Sequence, residues 1–215
     1  MTEKMNLKEI EKKAYRFTFQ DGIYDIMFGV LLVSFALAPI LREVIGLGYI
    51  LFLVIPAPLI LTLGKRYITV PRIGIVKFGL NRQVAHKKLV IISVILVIIT
   101  LILLMMTITK TFPGTLGTML DGYAVPLIIG ISTIIGMGVF AYIKDFPHLW
   151  IYGLIIGLSI PVAEVLYKTI GTPLNGIIAF GVPGIVILIY GSLILFRFLH
   201  KYPLPKEEMS NENSG

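Results

Sequence analysis

The sequence has no cysteine and little charge. The absence of cysteine excludes disulfide bonds, thiolate metal sites and cysteine nucleophiles. Lys, Arg, Asp and Glu make up 14% of the 215 residues, whereas soluble domains contain about 25%. Because 56% of the residues are hydrophobic and the mean hydropathy is +0.90, the composition excludes an ordinary soluble domain and indicates a membrane protein.

Motifs of known enzymes are also missing. The chain has no HExxH, no GxSxG, no P-loop and no dinucleotide-binding fingerprint. Its Asp-Gly pairs at positions 21 and 121 lack the further acids of phospholipid head-group transferases. The histidines, His86, His148 and His200, share no helix-spaced motif, so we expect neither a metal site nor a cofactor. These absences favour a protein that is not an enzyme.

What the sequence does contain is long apolar segments. Six are long enough to cross a hydrocarbon core of about 30 Å at about 1.5 Å per residue. They cover residues 22–41, 44–63, 89–108, 123–143, 149–166 and 177–199. The sequence therefore predicts an all-α, polytopic bundle of six transmembrane helices at 22–199, followed by a polar, disordered cytoplasmic tail at 200–215.

Residues 1–21 predict a short amphipathic helix in front of the first span. Asn6 and Glu9 resemble a capping box. Apolar side chains then recur at helical spacing, at Leu7, Ile10, Ala14 and Phe17. We expect this helix to lie on the cytoplasmic membrane surface or under the bundle as a lead-in to the first span.

Lys and Arg are unevenly distributed between the two sides of the six spans. One side receives sixteen, and the other receives three, namely Arg42, Lys110 and Lys168. Cytoplasmic segments of membrane proteins collect Lys and Arg. The distribution therefore predicts an integral plasma-membrane protein with both termini in the cytoplasm.

The segment 64–88, between the second and third spans, contains no acidic residue. Its charge equals the net charge of the whole chain, +7, because every other segment outside the spans cancels internally. Residues 67–70 and 73–78 are rich in strand-forming side chains, which predicts a short β-hairpin or an extended segment. The cations of this basic segment are Lys65, Arg66, Arg72, Lys77, Arg82, Lys87 and Lys88.

Two interpretations of this charge are open. The cations can serve only to fix the orientation of the protein. Alternatively, they bind anionic lipid headgroups or an acidic partner protein in a membrane complex, since juxtamembrane cations gain about 1 kcal/mol each near anionic lipid. Nucleic acid is disfavoured as a partner because no recognition fold accompanies the charge.

Asp21 and Asp25 form a second constellation, on one helical face at the cytoplasmic entry of the first span. A carboxylate at this depth needs a partner unless it stays in the wet interfacial zone. We hypothesise that Arg72 or Lys77 folds back to form an internal ion pair with these carboxylates. The alternative is that Asp25 remains solvated.

Two motifs carry a resemblance to a known group of proteins. They are DGIYDIMFG at residues 21–29 and PRIGIVKF at residues 71–78. This pair resembles the DGxxDxxxG and PRxGxVKF signatures of small, uncharacterised multi-span membrane proteins of bacteria and archaea. The resemblance covers about the first third of the chain and implies no activity.

Glu164 is the intramembrane functional candidate. Gly153, Gly157 and Pro161 precede it at helical spacing, which predicts a close-packed face that ends in a carboxylate. Charges within spans are costly and often functional, so Glu164 and Pro161 predict an ion or proton site. Lys168 lies one turn further on, and a plain ion pair between Glu164 and Lys168 is the alternative.

The sequence thus predicts a non-catalytic accessory or scaffold protein whose basic segment binds anionic lipid headgroups or an acidic partner. The alternative is a small-solute, ion or lipid transporter or channel that uses Glu164 and proline-kinked spans. A lipid-processing enzyme that uses Asp25, Arg72 and Lys77 is the third hypothesis.

Overall fold

The computed structural model describes residues 19–74, 80–111, 122–144 and 146–203, with the side chains of 80–83, 85 and 86 excepted. Every secondary-structure element in these ranges is helical. A 3-10 helix covers Gly46–Gly48, and π-helices cover Lys65–Thr69 and Ile177–Gly181. The α-helices are α1 (Ile23–Ile45), α2 (Tyr49–Val54), α3 (Pro56–Gly64), α4 (Val70–Ile73), α5 (Leu80–Ile108), α6 (Ala124–Lys144), α7 (His148–Ile170), α8 (Leu174–Gly176) and α9 (Val182–Lys201).

Five helical segments of the described residues are long and apolar enough to cross a membrane. The first has 51 residues, and the others have 21 to 28. Their outward faces carry many exposed Leu, Ile and Val side chains, as expected for surfaces that face lipid. The chain is therefore a polytopic membrane protein that is all-helical in its described residues. The segments are Ile23–Ile73, Lys87–Ile108, Ala124–Lys144, His148–Ile170 and Leu174–Lys201.

The 51-residue segment folds back on itself. Gly46 has a φ of 57°, a left-handed conformation that ends α1 and that glycine adopts without steric cost. After this turn α2 and α3 return along α1. At the far end, a Cβ built at Gly64 would lie 2.9 Å from Cγ2 of Ile23. The start of the segment and the end of α3 are therefore side by side.

The predicted β-hairpin is not observed. Residues 67–70, its first predicted strand, belong to the π-helix Lys65–Thr69 and to α4 (Val70–Ile73). Strand-forming side chains are present, but they directly follow α3, and a helix that is already nucleated extends at little cost. The second predicted strand falls mainly on 75–79, outside the described residues. The predicted amphipathic helix at 1–21, except for residues 19–21, also lies outside the described residues. The same holds for most of the predicted tail at 200–215.

The helix α1 is central in the bundle. It packs against α9, α3 and the π-helix Ile177–Gly181, while α6 packs against α7 and α5 packs against α6. The core at one end is aromatic and apolar and includes Phe19, Phe28, Leu32, Leu149 and Tyr152. This core surrounds the N-terminal ends of α1 and α7, where the polar groups described below lie.

The predicted small-residue face of α7 is closely packed. A Cβ at Gly157 would lie 2.6 Å from the carbonyl oxygen of Gly130 in α6, and a Cβ at Gly153 would lie 2.7 Å from Cβ of Met137. The α6 and α7 backbones can approach this closely because neither glycine has a side chain. A polar contact joins α6 to α5, where the hydroxyl oxygens of Thr100 and Ser132 are 2.8 Å apart.

Candidate functional site

Asp21 lies two residues before α1 and is fully buried. Its carboxylate accepts hydrogen bonds from Nζ of Lys65, at 2.5 Å, and from the hydroxyl of Thr69. It also accepts one from the backbone N–H of Ile23, at 3.2 Å. A carboxylate with a cation and several donors around it can remain ionised inside a protein. We call Asp21, Lys65 and Thr69 the Asp21 clasp.

The clasp follows from the return of the first segment. Lys65 and Thr69 are the first and last residues of the π-helix, four positions apart, and both face Asp21. Lys65 is 19% exposed, and its ammonium lies 4.9 Å from the centre of the Tyr24 ring. One cation of the basic segment is therefore used inside the protein, where it neutralises a buried acid.

Asp25 lies one turn beyond Asp21 and has a different partner. The phenol of Tyr152, at the N-terminal end of α7, donates a hydrogen bond to Oδ1 of Asp25. Asp25 is 1% exposed and Tyr152 is 4% exposed. On the other side α9 approaches at Gly191, where a Cβ would lie 2.8 Å from Cβ of Asp25. Three helices thus meet at this carboxylate.

A cavity of about 360 Å³ adjoins Asp25. Phe146 forms part of its wall, with its ring stacked on Phe19 at 5.1 Å and on His148 at 5.6 Å between ring centres. We call this space the Asp25 cavity. Its lining residues are Phe19, Gln20, Asp25, Phe146, Pro147, His148 and Ile194.

A second cavity, of about 240 Å³, borders the first. The two have Gln20 and Ile194 in common, but the second is lined by cations of α9 instead of by a carboxylate. We call it the Arg197 cavity. Its lining residues are Gln20, Ile194, Arg197, Phe198, Lys201 and Tyr202.

The cations of the basic segment lie in different environments. Lys65 belongs to the Asp21 clasp, whereas Arg66, Lys87 and Lys88 are exposed. Nη1 of Arg72 donates to the carbonyl oxygen of Ile68, at 2.9 Å. Lys77 and the side chain of Arg82 lie outside the described residues.

The hypothesis of an internal ion pair named Asp21 and Asp25 as the acids and Arg72 or Lys77 as the cation. In the structure the cation beside Asp21 is Lys65. The guanidinium of Arg72 instead turns towards its own helix, to the carbonyl of Ile68.

Glu164 and Lys168 do not form an ion pair in the structure. Glu164 is half-buried, and the ammonium of Lys168 lies 3.4 Å from the centre of the Tyr123 ring. Pro161 lies inside α7 and packs towards Gly130, where a Cβ would be 3.2 Å from its Cδ. Glu164 is twelve residues beyond Tyr152, or about 18 Å along the helix. The Glu164 site is therefore separate from the Asp25 site.

His148 and His200 lie in different surroundings. His148 lines the Asp25 cavity, and His200 stacks on Phe196, with ring centres 4.4 Å apart. The side chain of His86 is outside the described residues. Within the part of the chain that the structure describes, no group of three His, Cys, Asp or Glu side chains is placed to hold a metal ion.

Sequence reasoning missed Tyr152 and Thr69. Tyr152 carried a signal, because a tyrosine in a buried part of a span needs a partner for its hydroxyl. Thr69 carried none, since it was assigned to a strand.

Comparison of the chain with protein-family models, with curated proteins and with solved structures finds no match.

Proposed function

We propose that the protein spans the membrane six times, with both termini in the cytoplasm. The 51-residue segment would be about 75 Å long if it were straight, more than twice the thickness of a hydrocarbon core. Its first residue, Ile23, lies beside Gly64 at the end of α3, which supports two crossings. The sixteen cations on one side and three on the other support the orientation.

Within this topology we propose a non-catalytic accessory protein that binds anionic phospholipid at its cytoplasmic surface. The observation that carries the proposal is the exposure of Arg66, Lys87 and Lys88 in a segment without acids. None of the three makes an ion pair with a carboxylate of the described residues. At about 1 kcal/mol per cation, the three favour anionic over zwitterionic lipid by about 3 kcal/mol, or roughly a hundredfold.

The experiment measures which lipids the protein retains. The full chain is purified in mild detergent, incubated with equal amounts of phosphatidylglycerol and phosphatidylcholine, and analysed by native mass spectrometry. We expect tenfold or greater enrichment of phosphatidylglycerol. Replacing Arg66, Lys87 and Lys88 by Gln should reduce the enrichment at least fivefold.

The matched control carries the same charge change on the other side of the membrane. It replaces Arg42, Lys110 and Lys168 by Gln, and we expect it to keep the enrichment. Equal enrichment in both triple variants would overturn the proposal. Loss of a co-purifying acidic protein from the Arg66, Lys87 and Lys88 variant, with lipid binding unchanged, would replace it by a protein-partner function.

A transporter is the second proposal, and one observation favours it. Glu164, six residues before the end of α7, makes no ion pair with a cation of the described residues. Carboxylates in spans are costly and often functional. Vesicles that contain the protein should then show an ion or solute flux that Glu164→Gln reduces at least tenfold. An unchanged flux in that variant excludes this role for Glu164.

A further inference from the structure

Asp25 differs from Asp21 in the charge of its surroundings. Asp21 is neutralised by Lys65, whereas Asp25 forms no ion pair with a Lys or Arg of the described residues. Its hydrogen-bond donor, Tyr152, is neutral. An ionised carboxylate that is 1% exposed and has no ion pair with a described Lys or Arg is costly, so this position favours a positively charged ligand.

The Asp25 cavity has the composition of a site for an organic ammonium ion. The rings of Phe19, Phe146 and His148 line the cavity beside the carboxylate, and ligand sites are typically apolar cavities with a few polar groups. Phe146 is stacked between Phe19 and His148, so the faces of its ring are covered and the three rings form one apolar wall. An ammonium group that reaches Asp25 leaves water, which strengthens its attraction to the carboxylate.

The adjoining Arg197 cavity has the opposite charge. Arg197 and Lys201 lie on its wall, and neither forms an ion pair with a carboxylate of the described residues. Gly191 contacts Asp25, and Arg197 is six residues further along α9, which corresponds to about 9 Å. One ligand can therefore reach both cavities. Arg and Lys are the side chains that bind phosphate groups.

We propose that the two cavities together bind a phosphoethanolamine group. Its ammonium lies in the Asp25 cavity, and its phosphate lies between Arg197 and Lys201. A primary ammonium donates hydrogen bonds to a carboxylate, whereas the trimethylammonium of choline has no hydrogen to donate. The site therefore selects ethanolamine over choline. This site uses none of the residues that carry the proposed binding of anionic lipid.

The first experiment needs no substitution. The full chain in mild detergent at pH 8 is offered a series of lipids with identical acyl chains, and the bound fraction is counted by native mass spectrometry. The headgroups are phosphoethanolamine, its N-methyl and N,N-dimethyl forms, and phosphocholine. We expect retention to fall with each methyl group, at least fivefold over the series. Equal retention of all four lipids overturns the proposal.

The second experiment tests the residues. Asp25→Asn keeps the shape of the side chain, and we expect it to remove the preference for ethanolamine over choline. Replacing Arg197 and Lys201 by Gln should instead lower the retention of both lipids at least threefold, because both carry a phosphate. Glu43→Gln, at an exposed carboxylate of α1 that lines neither cavity, is the matched control and should change nothing. A folded Asp25→Asn protein that keeps the full preference overturns the proposal.

Two further arms identify the source of the ligand. Glycerophosphoethanolamine, which is soluble, should displace the bound lipid at millimolar concentration if the site also accepts the free group. If only the lipid binds, the ligand is a membrane headgroup, and if neither binds, the proposal fails. The Arg66, Lys87 and Lys88 variant should keep its ethanolamine preference, so this proposal and the binding of anionic lipid fail independently.

Discussion

The polar groups at the two ends of α7 differ in burial and in their partners. Near its N-terminal end, Tyr152 is buried and donates a hydrogen bond to Asp25 in α1. Near its C-terminal end, Glu164 is half-buried and has no ion-pair partner among the described residues. The same helix thus ties a carboxylate into the core at one end and leaves one in contact with its surroundings at the other.

This difference determines what a substitution should do. A buried polar group that loses its partner keeps the cost of its desolvation, about 1–3 kcal/mol or more. A half-buried charge without an ion-pair partner has no pair to lose, so its removal costs little. We therefore expect large effects on stability at Asp21, Asp25 and their partners and small effects at Glu164.

The largest effect is expected at the crossing of α1 and α9. In Gly191→Leu the new Cβ would meet Cβ of Asp25 and the backbone nitrogen of Ile26, each at 2.8 Å. Because backbone cannot move aside easily, we expect a loss of about 3 kcal/mol or more in the free energy of unfolding. An SDS titration from mild detergent measures it.

The control for this variant is Gly48→Leu, where no atom lies closer than 3.9 Å to the new Cβ. We expect the control to change the free energy of unfolding by less than about 0.5 kcal/mol. Equal losses in the two variants would contradict the close crossing.

The next effect is expected in the Asp21 clasp. Lys65→Met leaves the buried carboxylate of Asp21 without its cation, which costs about 3–5 kcal/mol for a fully buried pair. Because Lys65 is 19% exposed, we expect about 2–3 kcal/mol. The neighbouring, exposed cation provides the control, Arg66→Met, with a loss of less than about 0.5 kcal/mol.

A double-mutant cycle sharpens this test. Asp21→Asn removes the charge that Lys65 neutralises, so the Lys65→Met substitution should cost less in the Asp21→Asn background than in the wild type. The same titration measures all four proteins. Strictly additive losses would show that the clasp is not a coupled pair.

A smaller effect is expected for Tyr152→Phe. The substitution removes the phenol hydrogen bond to Asp25 without opening a large cavity, and we expect a loss of about 1–2 kcal/mol. Tyr142→Phe is the control, because Tyr142 is 82% exposed. A loss in the control as large as in Tyr152→Phe would show that the hydrogen bond adds no stability.

The smallest effect is expected at the other end of α7. Glu164→Gln removes a charge that has no described ion-pair partner, so the free energy of unfolding should change by less than about 0.5 kcal/mol. If the loss matched that of Tyr152→Phe, the contrast between the two ends would be wrong.

Composition alone predicted a helical, polytopic membrane protein, and the structure confirms this class in the described residues. In lipid, the backbone of a long apolar run can satisfy its hydrogen bonds only as a helix or in a closed barrel. Such a run therefore predicts a helix directly. The ends of such a helix are harder to predict. The third span was predicted at 89–108, but α5 begins at Leu80, because its first turns precede the apolar region. The second span was predicted at 44–63, but the helical structure continues beyond it through Thr69 to Ile73.

Part of the site could be predicted and part could not. Asp21 and Asp25 were recognised because carboxylates at the entry of a span need partners. The cation that pairs with Asp21 was not recognised. The choice between Lys65 and Arg72 depends on how far the helical structure continues after α3 and on which of its faces lies towards Asp21. Tyr152 is 127 residues from Asp25, and sequence spacing gives no information on contacts at that distance.

The contacts of the two aspartates also differ in when they can form during synthesis. In the Asp21 clasp, Lys65 and Thr69 follow Asp21 by 44 and 48 positions, so the clasp can form once Thr69 has been synthesised. The hydrogen bond of Asp25 can form only after Tyr152 has been synthesised. Because the chain has no cysteine of its own, cysteines placed at 23 and 64 report on this order in ribosome-arrested chains of about 110 residues. They should crosslink before α7 exists. The helical hairpin of Ile23–Ile73 then enters the membrane with the Asp21 clasp already formed, and the later helices assemble against it.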